Sequence, residues 1–387
     1  MLKHMATIED YKKQNKTFYR VRNLFLGRDE ITGKKKYKDK SGFKTKKEAQ
    51  RWIGQALEAT EKYGVSGQQQ NIQTYKQLYL MFLEHQRKTT KPSSVAINRR
   101  FIEGHVLPII GNMKLKDIKP AFLQTLVYEW HDNFAQYAYI RKVASQVFKY
   151  GISLEIIETN PMSKTLLPRP KEAEKKLQFW TRQELKTFFE KLKDYGNPKI
   201  HAYFRLLAYT GMRKSEVLSL QWGDINYHTR KIRISKTIGM DEENKKYVSD
   251  TPKTKNSIRT ITIDEESLHI LSEWQNHQKD TFQLLGIDTT NPLQFIFTDK
   301  KNHIYYPTAV NDWLDYLIKK FGLPRITPHN LRHTHVSLLL EAGVPLKEVS
   351  ERVGHKDSKI TLEIYAHISQ EQEERTMDTF MKYMSTD

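Results

Sequence analysis

From Thr17 to Phe43 the chain sets apolar and polar residues in short alternating runs, FYRVRNLFL and KKYKDKSGF, broken at GRDEITGKK. A period of two is the mark of strands, and Thr45 with Glu48 three residues on has the form of a helix cap. This stretch predicts a three-stranded sheet followed by one helix. GVSGQQQNIQ, from Gly64 to Gln73, is polar and Gly-containing and reads as a linker. From Thr74 the apolar period becomes helical in TYKQLYLMFLEHQ, PSSVAINRRFIEGHVLPIIG, KPAFLQTLVYEWHD and FAQYAYIRKVASQVFKYGIS, which predicts a bundle of four to five helices. NPMSKTLLPRPKEAEKKLQ, from Asn160 to Gln178, carries three prolines and a charge run and reads as a second linker. Beyond it a capping box, Thr181 with Glu184, opens helices, then strands near KIRISKTI, KKYVSD and SIRTITI, then helices to the end. The expected fold is multidomain α+β: a small N-terminal three-stranded sheet plus helix (1–66), a helical bundle (67–170), and a mainly α C-terminal domain with a small antiparallel sheet (171–387).

Charge changes this picture most. The chain has 387 residues, a net charge of +19 and a pI near 9.6, so its natural partner is a polyanion, and nucleic acid comes first. Residues 1–60 hold 16 Lys+Arg against 7 Asp+Glu, about half of the excess. By period two Arg20 and Arg22 share one strand face and Lys34, Lys36 and Lys38 another, beside Tyr19, Phe25 and Tyr37. Arg20, Arg22, Lys34 and Lys36 are therefore candidate DNA contacts. Arg99, Arg100, Arg141 and Lys142 of the helical bundle are further candidates, although a solvated helix face accounts for each of them alone.

Zero cysteines exclude disulfides, a thiolate nucleophile and cysteine-held zinc or iron–sulfur centres, so any chemistry uses O and N groups. No stretch approaches the ~20 apolar residues that span a bilayer, and MLKHMATIEDYKKQNK lacks the apolar core of a signal peptide. A cytoplasmic protein with no membrane association is expected.

The chemistry-bearing segment is TPHNLRHTHVSLLLEAGVPLKEVSERVGHKDSKITLEIYAH, from Thr327 to His367, with five histidines and a tyrosine near its end. Thr327 suits an N-cap and Pro328 the first helical position, which places His329 and Arg332 in the first turns on one face. A basic pair there opposes the helix dipole unless an anion binds, and helix N-termini with arginine are natural phosphate sites. Three more pieces join it: Arg213 in YTGMRKSEVLSLQW, Lys253 in TPKTKNSIRTI between two expected strands, and His355 just past a glycine, ten residues before Tyr365. His329 and His333 are spaced like a metal pair, but Asn330 stands where a zinc protease helix needs Glu and no third ligand is evident, so no metal is expected. His333 is expected to support the site, and His335 and His367 to pack or face solvent.

In that order TGMRKSEVLSL, PKT, HNLRHTH, VGH and TLEIYAH resemble the tyrosine recombinase family, specifically phage and conjugative-element integrases. The resemblance covers residues ~180 to 370 by motif and the rest by domain order. It implies a catalytic set of Arg213, Lys253, His329, Arg332, His355 and Tyr365, an N-terminal arm-site DNA-binding sheet and a helical core-binding domain. It further implies no cofactor, and as partners double-stranded DNA at core and arm sites, an excisionase and a host DNA-bending protein. Met377, Phe380, Met381 and Met384 recur at helical spacing in the C-terminal tail, and the resemblance implies that they dock on a neighbouring copy to form a tetramer on DNA. A silent DNA-binding regulator of the same fold and a topoisomerase-like nicking enzyme are the competing readings.

Overall fold

The structure, a computed structural model, describes residues 6–13, 16–28, 35–63, 72–170, 178–250, 258–354, 361–362, 364–366 and 384. These fall into two compact units, Met1–Lys88 with Arg100–Pro168, and Thr89–Arg99 with Arg169–Asp387.

The first unit opens with β1 (Thr7–Lys13), β2 (Lys16–Arg28) and β3 (Lys35–Phe43), an antiparallel sheet in the order β1-β2-β3, followed by α1 (Lys46–Tyr63). Thr45 Oγ1 accepts from Glu48 N at 3.1 Å, as the sequence predicts, and Glu48 Oε2 accepts from the N–H of Lys44, one residue before the cap, at 2.9 Å. Val21, Leu24, Leu26 and Phe43 are buried with Ala49, and Tyr19, Trp52, Ile53 and Leu57 pack against them. Strict alternation from Val21 would turn Leu24 to the open face. A register shift between Val21 and Leu24 prevents this, with Asn23 at φ 52 and its N–H donating to Asp39 Oδ1 at 2.7 Å.

Helices α2 (Tyr75–Thr89), α3 (Pro92–Phe101), α4 (Leu107–Ile110), α5 (Pro120–Asn133) and α6 (Tyr137–Ser153) follow, with residues 89–99 grouped in the second unit. The long helix expected through PSSVAINRRFIEGHVLPIIG is interrupted by a π turn, Ile102–Val106, in which Leu107 N donates to Ile102 O. Pro108 has no N–H to donate, so the ordinary ladder cannot run through this point. In the bundle core Tyr75 is fully buried, its hydroxyl donating to Ala144 O and its ring 5.0 Å from Phe148. Asn160–Thr165, expected to be linker, is folded structure: a short 3-10 turn whose Asn160 amide holds Ser145 and whose Met162 is fully buried. Of the first expected linker, residues 64–71 lie outside the described residues.

The second unit contains α7 (Arg182–Tyr195), α8 (Pro198–Thr210), α9 (Lys214–Leu218), β4 (Ile225–Asn226), β5 (Lys231–Ile234), β6 (Thr237–Met240), β7 (Lys246–Ser249), β8 (Arg259–Thr262), α10 (Glu265–Leu284), α11 (Ala309–Phe321), α12 (Pro328–Glu341) and α13 (Leu346–Val353). The strands form an antiparallel β4-β5-β8 sheet and a β6-β7 hairpin. The Thr181 and Glu184 capping box starts α7 as expected. One core runs from Trp180 through Phe188, Phe204, Leu207 and Leu218 to Ile232, Ile261, Phe297 and Leu331. Two hydrogen bonds anchor Trp180 near the start of this unit: its backbone N donates to Thr334 Oγ1 of the chemistry-bearing helix α12, and its Nε1 to Pro324 O in the segment that leads into that helix. Among the described residues no helix is long and apolar enough to cross a membrane.

Candidate active site

Gly211 ends α8 in a left-handed conformation, φ 64, where any side chain is strained. A Cβ there would lie 2.7 Å from His335 Cδ2 and 2.9 Å from Val353 Cγ1. Glycine thus lets α8 end against both α12 and α13, and the chain delivers Arg213 two residues later as the N-cap of α9. Arg213 Nη1 donates to Glu216 Oε1 at 2.8 Å and its backbone N to Glu216 Oε2 at 2.9 Å, while Nη2 points to Gly354 O at 3.4 Å. Its side chain is 40% exposed, so part of the guanidinium remains open to a ligand.

Arg332 sits deeper, at 1% exposure. Its Nη1 donates to Gly211 O and its Nη2 to Val353 O, each at 2.6 Å. Burial, then repulsion from Arg213, pushes its pKa down to about 9, with Glu216 pulling the other way. It therefore stays cationic at neutral pH. Glu216 is the buried anion of the cluster: burial alone would push its pKa up, but hydrogen bonds and charge from Arg259 and Arg213 outweigh it and hold it below the usual range.

Two residues of this cluster escaped the sequence reading, Glu216 and Arg259. Arg259 Nη2 donates to Glu216 Oε2 at 2.9 Å and its Nε to Arg352 O at 3.0 Å. A signal for it was present, since Arg259, Ile261 and Ile263 alternate onto one strand face and both isoleucines are buried. A cation on a core face demands a buried acceptor, and Glu216, three residues after Arg213 in an apolar helix, is the matching one.

His329 lies at the surface in the first turn of α12, its ring 4.7 Å from that of His333 and nearly perpendicular to it. Its partial burial, then the neighbouring His333, Arg332, Arg213 and Lys214, push its pKa down to about 4. It is a neutral imidazole at pH 7, able to accept a proton. His333 is buried and also shifted down, by burial and then Arg332, and its Nδ1 has no hydrogen-bond partner among the described residues. His335 is packed at 8% exposure and pushed down to about 3, by burial and then Arg352; its Nε2 accepts from Arg352 Nε at 3.2 Å, which fixes the neutral tautomer. It packs rather than reacts, as the sequence reading expects.

Tyr365 is half exposed. The residue before it, Ile364, is fully buried with Val336, Leu340, Val349 and Val353, which ties the tyrosine-bearing segment to α12 and α13. The structure thus brings Arg213, His329 and Arg332 together. Lys253, His355, His367 and the tail residues Met377, Phe380 and Met381 lie outside the described residues. Lys236 is held by Asp224 at 2.7 Å.

Among the candidate DNA contacts, Arg20 and Arg22 do share a face, both reaching Glu9, with Arg20 over the Tyr11 ring. Tyr19 belongs to the core instead of that face. Lys36 is exposed, Lys34 lies outside the described residues, and Lys38 sits 5.7 Å over the Trp52 ring of α1. Arg100 and Lys142 are exposed beside Phe101 and Tyr139. Arg99 pairs with Glu242 at 3.4 Å. Arg141 spends its guanidinium on the fold, donating to Thr165 Oγ1, Thr165 O and Met162 O at 2.8, 2.7 and 3.1 Å.

Residues 178–372, just over half of the chain, match the phage integrase family. The chain belongs to that family. This integrase also matches a phage integrase N-terminal SAM-like domain over residues 74–131 and an arm DNA-binding domain over 7–59. It is 29% identical to a protein named tyrosine recombinase XerC-like from Caldanaerobacter subterraneus subsp. tengcongensis, over 97% of this chain and 98% of that one. It is 31% identical to the ICEBs1 integrase of Bacillus subtilis over 58% of this chain and 59% of its relative. Its fold is that of the Tn1549 transposon integrase solved with a circular intermediate DNA (TM-score 0.64, 21% identity, 79% of this chain and 99% of that one) and of a lambda integrase dimer on a core site (0.54, 16%, 92% and 94%). The integrase is an enzyme of the tyrosine recombinase type, which cleaves and rejoins DNA strands.

Proposed function

We propose that this integrase inserts a mobile element into a chromosome, and excises it, by passing each strand through a 3′-phosphotyrosyl bond on Tyr365. The observation that carries the reading is electrostatic. The guanidiniums of Arg213 and Arg259 share one carboxylate, Glu216, and those of Arg213, Arg259 and Arg332 each reach a carbonyl at the C-terminal end of α13. Among the described residues these contacts set three guanidiniums against one carboxylate, an arrangement that favours an anionic ligand.

A backbone phosphate is that anion. Arg213 and Arg332 hold its non-bridging oxygens and neutralise the charge that grows on them in the transition state. The Tyr365 oxygen forms a bond to phosphorus as the bond to the 5′ oxygen breaks; the phenol proton passes to His329 and Lys253 protonates the departing 5′ oxygen. His355 donates to the phosphate. The phosphotyrosyl ester conserves the bond, so a second strand's 5′ hydroxyl reverses the step and no ATP, metal or other cofactor is consumed. The neutral state of His329 suits a base, and an arriving phosphate raises its proton affinity when the proton must be taken.

Residues 1–66 serve as the arm-site module, with Arg20, Arg22, Lys34 and Lys36 as contacts, 67–170 as the core-binding module, with Arg99, Arg100 and Lys142, and 171–387 as the catalytic domain. The tail couples four copies on DNA, and an excisionase and a host DNA-bending protein set direction. Tyr365→Phe tests the reading: it should leave shifted complexes in a gel and abolish covalent protein–DNA adducts, and adducts that persist would show that the nucleophile lies elsewhere.

A further inference from the structure

We propose that Arg259 is a positioning residue for strand cleavage, holding the Arg213 guanidinium in place through Glu216 and the C-terminal carbonyls of α13. The proposal rests on Arg213 being a phosphate ligand.

Arg259 opens β8 on the face shared by Ile261 and Ile263, and its side chain is only 7% exposed. From there it is shielded from a duplex, so it acts through its neighbours. Both oxygens of Glu216 that bind Arg213 also bind Arg259: Oε1 accepts from Arg213 Nη1 at 2.8 Å and Arg259 Nη1 at 3.4 Å, and Oε2 from Arg213 N and Arg259 Nη2 at 2.9 Å each. The carboxylate that aims Arg213 is thus itself aimed by Arg259.

Sharing also decides charge. With one carboxylate between two arginines, Arg213 keeps positive charge for a phosphate. Without Arg259, Arg213 and Glu216 would form a closed neutral pair, and the pull on a phosphate would weaken.

A second route runs through α13. Its last carbonyls, which have no partner inside the helix, each accept from a different arginine: Arg352 O from Arg259, Val353 O from Arg332, and Gly354 O from Arg213. The negative end of the helix dipole favours this arrangement. Gly354, at φ 67, ends the helix in a left-handed conformation. Arg259 therefore ties β8 to Arg213 through Glu216, and to the end of α13 that also holds Arg332.

The test is a double-mutant cycle on single-turnover cleavage of a nicked duplex that traps the covalent adduct, using the full chain, with gel shifts and thermal unfolding alongside. Arg213→Ala should slow cleavage by ~10²–10³-fold, as loss of an oxyanion donor does. Arg259→Ala should slow it by ~10²-fold, the scale of a misplaced group, while shifted complexes form at unchanged protein concentration. The double variant should be no slower than Arg213→Ala, because the group that Arg259 positions is gone. Arg259→Lys keeps a charge against Glu216 but lacks the fork that also reaches Arg352 O, and should fall between; should Arg259→Ala fail to fold, Arg259→Lys carries the same cycle. Equal slowing by the Arg259 change with and without Arg213, or no slowing at all, overturns the positioning role. Undiminished cleavage by Arg213→Ala alone would instead overturn the phosphate reading beneath it.

Discussion

Replacing Glu216 by Gln changes almost nothing in shape and removes the carboxylate that Arg213 and Arg259 share. In the native protein that carboxylate receives Arg213 Nη1 and N at 2.8 and 2.9 Å and Arg259 Nη2 at 2.9 Å. A glutamine oxygen still accepts, but its amide N–H groups face guanidinium donors and satisfy none of them. Arg213, with a 40% exposed side chain, can turn to water, and its share of the loss is small. Arg259, at 7%, cannot. Breaking a buried pair from one side costs roughly 3–5 kcal/mol, and with one of the two cations able to relax the lower end applies. For a unit of about 200 residues, ~3 kcal/mol corresponds to roughly 6–12 °C in unfolding temperature. Calorimetry reads this directly, and the fluorescence of Trp180, Trp222, Trp274 and Trp313 reports on the same unit. Sulfate should recover part of the loss by binding the exposed cations. A Glu216→Gln protein that melts with the native one, within ~0.5 kcal/mol, would refute the claim that this carboxylate compensates buried positive charge.

Acid should destabilise the same unit through His335. Its pKa lies near 3 in the fold against 6.5 when unfolded, so its contribution is fully present above 6.5 and is lost as pH falls toward 3. Between pH 7.5 and 5 that is about 2 kcal/mol, and His335→Gln should flatten this part of a urea-unfolding profile taken against pH. Gly211→Ala should lower stability by ~1–3 kcal/mol through crowding, since its Cβ would press on His335 and Val353. Because Gly211 O and Val353 O both hold Arg332, adduct formation should fall further than DNA binding does. Arg141→Ala should lower the melting temperature of the first unit by removing three intrachain hydrogen bonds. Lys142→Ala, by contrast, should leave stability unchanged and reduce the log–log salt slope of core-site binding by about one unit.

The pieces legible in the sequence are those written in local chemistry. Capping pairs such as Thr45 with Glu48 and Thr181 with Glu184 act within four residues, so reading them needs no tertiary information. The same holds for Gly211 before Arg213 and for His329 and Arg332 in one helix turn. What stayed hidden depends on distant partners. The register shift at Asn23 rests on Asp39 of the next strand and returns Leu24 to the core, which period two alone cannot foresee. Arg141 looked like a surface cation because its acceptors at Met162 and Thr165 lie in a stretch whose prolines read as linker. Arg259 and Glu216 are 43 residues apart and each is unremarkable by itself; only the fold makes them one ion pair. The candidate catalytic set was legible as motifs, but the device that holds its arginines, the carbonyl end of α13, belongs to backbone geometry and leaves no side-chain signature.

The central claim is that fixed positive charge presents a backbone phosphorus to the Tyr365 oxygen. The most direct measurement incubates the full-length protein, in EDTA, with a nicked duplex carrying an attachment site and identifies the DNA-linked peptide by mass spectrometry. The account requires one adduct, on Tyr365, joined through a 3′ phosphate. An adduct on any other residue, or one that forms only when a divalent cation is restored, would contradict it.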